Sequence, residues 1–125
     1  MLTSILLYVG AAIPFIWGLA HILKTRAIVD GFAPLTPDNR QIITQEWVAE
    51  GLALCFIGLL VLIVAVWGER GGISSLIVYR GAALMLIVMA VLTALTGARI
   101  PLVPFKACPL ILTVAAAAIF LGTLL

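Results

Sequence analysis

Polar residues along this chain are gathered into three short breaks, and the four stretches between them are apolar on every face. The first stretch runs over about 2–23 and the second over about 47–67. The third covers about 75–98 and the fourth about 104–125. Each approaches the ~20 apolar residues needed to cross ~30 Å of hydrocarbon. None shows the strict polar–apolar alternation of a half-buried strand, so the pattern predicts helices. The fold class expected is all-α, a bundle of four transmembrane helices with both termini on the same, outer side. Four spans use most of the chain, which leaves one integral membrane domain and no soluble one.

The local signals place the helix ends. Thr36 suits an N-cap, Pro37 the first helical position, and Asp38 the positive end of the helix dipole. Gly68 and the Gly71–Gly72 pair stop the same helix after Trp67. A helix over 37–67 would be about 46 Å long at 1.5 Å per residue, well beyond the hydrocarbon thickness. Residues 37–46 are therefore expected as a helical extension standing in headgroups or water. Pro109 is tolerated in a first turn but would kink a helix that began at Pro101, so the fourth helix should start near Pro104 or Pro109. Ala90, Ala94 and Ala98, and the run Ala115–Ala118, offer small faces, for which plain packing is the simplest reading.

Composition agrees with the pattern. The chain is 65% hydrophobic and 10% charged, with a mean hydropathy of +1.32. A soluble domain is about half apolar and about a quarter charged, so the surplus must face lipid. The first stretch is not a secretory signal, because Lys24 and Arg26 follow it and no basic residue precedes it. Lys24, Arg26, Arg40, Arg99 and Lys106 share one side of the bundle, against Arg70 and Arg80 on the other. That bias puts the first set, with the 24–40 loop, in the cytoplasm of a multi-pass cell-membrane protein. The expected partner is the lipid bilayer. Seven unclustered basic residues exclude a nucleic-acid binder, whereas a homo-oligomer or a larger membrane complex stays open.

Ionisable groups inside spans are rare and costly, which makes each a functional candidate. There are four: His21, Glu46, Glu50 and Arg80. Arg80 falls at the outer edge of the third span, where it can snorkel to headgroups and at most contact a lipid phosphate. His21 ends the first span while Glu46 and Glu50 open the second, so all three belong at one depth. The spacing of four puts both carboxylates on one helix face. Helices joined by a short connection pack as antiparallel neighbours, which brings His21 toward that face.

Three readings of this set stay open. The residues could bind a cation or a small polar ligand, since imidazole nitrogen and carboxylate oxygen suit zinc, manganese or iron. They could move protons. Or His21 and Glu50 could satisfy each other in a non-catalytic accessory or structural subunit. A membrane enzyme acting on a lipid-like substrate is a third class, with no catalytic residue identified. A metal, if any, would fall to His21, Glu46 and Glu50, but one histidine supplies one nitrogen, so oxygen ligands must come from elsewhere or from a second subunit. No cofactor is indicated. Cys55 and Cys108 lack metal-ligand spacing and read as small buried hydrophobes.

The strip Ala20-His21, Asp30-Gly31-Phe32, Leu35-Thr36-Pro37-Asp38-Asn39-Arg40 and Glu46-Trp47-Val48-Ala49-Glu50-Gly51 resembles a family of small uncharacterised bacterial four-span membrane proteins. The resemblance covers spans one and two with their loop. It implies the fold and a bacterial inner membrane, and it transfers no activity. Membrane glutathione transferases carry an Arg- and Asn-rich signature that is missing from span two. Small multidrug exporters carry a Glu in span one, and four-helix haem cytochromes need paired histidines; this chain has neither. The 24–40 loop reads as an ordinary solvated hairpin or as a cap over a pocket, with Phe32 and Trp47 as interface anchors.

Overall fold

A computed structural model describes residues 1–69 and 71–125. Arg70, counted above on the outer side, lies outside the described residues. The chain forms α1 (Leu2–Asp30), α2 (Pro37–Trp67), α3 (Ile73–Leu95) and α4 (Val103–Gly122), with a single 3₁₀ turn at Gly97–Arg99. There is no strand among the described residues. All four helices are long and apolar enough to cross a membrane, which fits a multi-pass membrane protein. Large apolar side chains such as Leu23, Phe56, Ile77, Leu92 and Leu110 cover the outside of the bundle.

The helix ends follow local chemistry. The Thr36 side chain accepts from the Asn39 backbone N–H, with Pro37 next to it in the first turn, a cap that contributes about 1 kcal/mol. Gly71, at φ +76°, makes the left-handed turn into α3 that a side chain would disfavour. Helix α1, however, does not stop where its apolar run stops. It continues through Lys24, Thr25 and Arg26 to Asp30, so the connection to α2 is only residues 31–36 rather than a loop over 24–40. The reason is that charge marks the end of what hydrocarbon tolerates, not the end of helical propensity. Thr25 bonds back to the His21 and Ile22 carbonyls, and Arg26 pairs with Asp30 one turn on. Helix α4 starts at Val103 and carries Pro109 in its interior, leaving the Phe105 carbonyl without its usual N–H partner.

Helix α1 packs along α2 and α4, and α4 along α3, whereas α2 and α3 meet only lightly. The α1–α2 seam is built from small residues. A Cβ on Gly18 would lie 2.5 Å from the Gly51 carbonyl oxygen, and one on Gly58 would lie 2.5 Å from the Ala11 oxygen. At Gly10 the obstacle is Ile119 of α4, again at 2.5 Å. Backbone contact of this kind holds helices together in lipid, where burying apolar surface against a neighbour gains little over burying it in acyl chains. Arg40 donates to Asp30 across the 31–36 turn at 2.7 Å. Both side chains are about half exposed, so that pair contributes at most about 1 kcal/mol. The glycine seam holds the hairpin; the ion pair trims its end.

Candidate functional site

The close approach at Gly18 and Gly51 decides what lies beside it. A Cβ on Gly51 would sit 3.0 Å from His21 Cβ, so the imidazole comes off α1 directly against α2. One turn before Gly51, Trp47 stacks on the imidazole with centroids 4.3 Å apart and planes 19° apart. The Trp47 indole N–H donates to the His21 carbonyl at 2.8 Å. Trp17 meets the imidazole edge-on at 5.4 Å. His21 is 3% exposed. Trp47 is therefore a wall of the site, buried itself, and not the interface anchor its aromatic character suggests.

The imidazole is also fixed in tautomer. Nδ1 lies 2.9 Å from the Trp17 carbonyl oxygen, which can only accept, so Nδ1 carries the proton. Nε2 is left to face Glu50, whose Oε2 is 4.0 Å away. Glu50 therefore points into the bundle toward His21, as its depth demands. The separation is too long for the direct hydrogen bond expected of a self-satisfied pair.

The third group at this point is not Glu46 but Cys108. From α4 its sulfur reaches 4.0 Å from Glu50 Oε1 and receives the Trp17 indole N–H at 3.4 Å. One ligand atom each from His21, Glu50 and Cys108 lie within 4.8 Å of one another, contributed by three helices. Glu46 stands one turn from Glu50, exposed. It shares with Glu50 the wall of a cavity of about 540 Å³ between α2 and α3. Met85, Met89 and Thr93 form the opposite wall, and Phe32 and Phe105 line it too, their rings meeting edge to face at 6.0 Å. The 31–36 turn thus covers one end of the cavity through Phe32. Arg80 is remote from all of this, exposed on α3 and lining a separate apolar hollow between α3 and α4.

Sequence reasoning missed Cys108 as a member of the site. Spacing could not reveal it, but depth could have. Cys108 lies about one helical turn inside the start of α4, and Glu50 was placed one turn inside the hydrocarbon.

Chemically, the arrangement presents an imidazole nitrogen, a carboxyl group and a sulfur to one point beside an open cavity. Comparison with protein-family models, curated proteins and solved structures finds no match to this chain. What it does has to be argued from these residues.

Proposed function

We propose that this protein is a small membrane-embedded binding or transport protein. In this reading the His21–Glu50 pair takes a cation or a small polar group from the cleft between α2 and α3. The observation that carries this is the state of Glu50. A carboxyl group at this depth costs several kcal/mol if charged and unpartnered. A purely structural pair would offset that by closing on itself. Glu50 instead has its two neighbours at 4.0 Å each and lines a cavity of about 540 Å³, within the range of small-ligand sites. Glu46 adds a second carboxylate on the way in.

The basic-residue bias further supports a site opening toward the cytoplasm, in a protein with both termini outside.

The test is ligand-dependent thermal stability of the purified protein in detergent, wild type against Glu50→Gln. The panel is alkali and alkaline-earth ions, transition-metal ions and small organic amines. A ligand at 100 times its Kd should stabilise the wild type by about 2.7 kcal/mol and leave Glu50→Gln unmoved. If Glu50→Gln merely lowers stability and nothing on the panel shifts the wild type, the pair is structural and the proposal fails.

A further inference from the structure

Three donors of different chemistry converge on one point, and their joint charge selects what can sit there. We propose that His21 Nε2, a Glu50 carboxylate oxygen and the Cys108 sulfur form a three-ligand site for a divalent transition-metal ion of the zinc class. The inference rests on the reading of the His21–Glu50 cleft as a ligand site, and it names the ligand.

Geometry is the first support. Glu50 Oε2 lies 4.0 Å from His21 Nε2 and its other oxygen, Oε1, lies 4.0 Å from the Cys108 sulfur, and one donor atom from each of the three residues falls within 4.8 Å of the others. Around a tetrahedral zinc ion, bond lengths of ~2.0–2.3 Å put neighbouring donors about 3.3–3.6 Å apart. Glu50, the least buried of the three, is the ligand freest to move toward the other two.

The outer contacts are the second support. A metal-ligating histidine usually donates its other ring N–H to a carbonyl or carboxylate, which fixes the tautomer. The Nδ1 contact with the Trp17 carbonyl oxygen at 2.9 Å already does so. The indole N–H of the same Trp17 is aimed at the Cys108 sulfur, where a thiolate accepts it more strongly than a thiol. One residue orients both soft ligands.

Charge is the third. A bare dication is costly inside a bilayer, and ligand binding can deprotonate a thiol outright. The carboxylate and the thiolate contribute two negative charges and a neutral imidazole none, so a divalent ion leaves the site electroneutral. A monovalent ion would leave it negative. Sulfur and imidazole favour zinc, cobalt or ferrous iron over magnesium or calcium. With three protein ligands a fourth position is left, the pattern of sites that exchange a water or a substrate, and Glu50 alone of the three lines the cleft.

The probe is cobalt(II) titrated into the purified protein in detergent and followed by absorption. The wild type should show the intense visible bands of a four-coordinate ion and a near-ultraviolet thiolate-to-cobalt charge-transfer band, both lost on adding zinc. Cys108→Ser should remove the charge-transfer band. His21→Gln and Glu50→Gln should each weaken binding about 100-fold or more, beyond the 10–100-fold typical of losing an outer contact. Cys55→Ala should change nothing. Trp17→Phe, which keeps the backbone carbonyl and loses the indole donor, should weaken binding about tenfold while the charge-transfer band persists. Far-UV circular dichroism shows whether each variant is folded. A folded wild type with no charge-transfer band, or a band that survives in Cys108→Ser, overturns the metal. If an amine or alkali ion still stabilises the wild type through Glu50, the cleft remains a ligand site and only its metal is wrong. If nothing binds, both readings fall.

Discussion

Replacing Gly18 with alanine adds one methyl group at one of the two tightest points of the α1–α2 seam. That methyl would lie 2.5 Å from the Gly51 carbonyl oxygen, 2.8 Å from the Cys55 backbone nitrogen and 2.9 Å from the Cys55 sulfur. Two of the three obstacles are backbone, so no rotamer change relieves them. Ordinary contact begins at 3.4 Å, so the helices must part by about 0.9 Å locally. Overpacking costs about 1–3 kcal/mol, and the upper end applies because neither backbone can yield. Alanine returns up to about 1 kcal/mol of helix propensity. The expected net loss is about 2 kcal/mol. Gly81 provides the control, since a Cβ there meets nothing within 4 Å, so Gly81→Ala should be neutral or up to about 1 kcal/mol stabilising. Unfolding in mixed detergent–SDS micelles, followed by circular dichroism, measures both. The site gives a second readout, because parting α1 from α2 lengthens a His21–Glu50 distance already at 4.0 Å; cobalt affinity should fall in Gly18→Ala and hold in Gly81→Ala. Equal stability of the two variants would refute the backbone contact, and with it the account of how His21 is positioned.

Two other outcomes follow from the same geometry. Trp47→Phe keeps a ring over His21 but loses the 2.8 Å hydrogen bond to its carbonyl; it should cost about 1 kcal/mol or less in the same unfolding assay, and a loss of 3 kcal/mol would mean the indole does more than donate. In a protein whose two cysteines are replaced, Ala33→Cys in the 31–36 turn should react with a membrane-impermeant maleimide only after the cells are opened, and labelling of intact cells would reverse the proposed orientation.

Much of the architecture was legible because hydrocarbon thickness is a blunt ruler. Four apolar runs of the right length gave four helices, and Thr36-Pro37-Asp38 gave the start of α2 through capping chemistry that needs no partner. The end of α1 was not legible, since Lys24 and Arg26 report the membrane edge while the helix obeys its own hydrogen bonding. Helix contacts were hidden for a different reason. In a soluble helix the polar face shows which side is buried, but these helices are apolar all round, and only size distinguishes inside from outside. Gly18 on α1 and Gly51 and Gly58 on α2 carry that signal, a weaker one than polarity. The alanines drew attention instead, and of these Ala90, Ala115, Ala116 and Ala118 are buried whereas Ala94 is exposed. At the candidate site, depth brought out His21 and Glu50. Cys108, 58 residues from Glu50, shares that depth, but the packing of α4 on α1 is what brings it beside them.

The cavity lies where helix lengths differ and two helices meet only lightly. Helices α1 and α2 have 29 and 31 residues, about 43 and 46 Å at 1.5 Å each. Helices α3 and α4 have 23 and 20, about 35 and 30 Å. At the end of the bundle that carries the 31–36 turn, the long pair is tied at its tip by Arg40 and Asp30, and the start of α4 reaches it through Leu102 beside Gly31 and Phe105 beside Phe32. Helix α2 meets α3 only lightly, which leaves it without a full neighbour on that side. The last turn of α3, the Thr96–Gly97 corner and Phe105 form the floor of the resulting hollow. Two carboxylates line the exposed flank of α2. Glu46 is exposed one turn from Glu50, able to draw a cation from water. Glu50 lies one turn deeper, where His21 and Cys108 are waiting. Closer packing of α2 against α3 would have shut Glu50 away from that hollow and left its carboxyl group to His21 and Cys108.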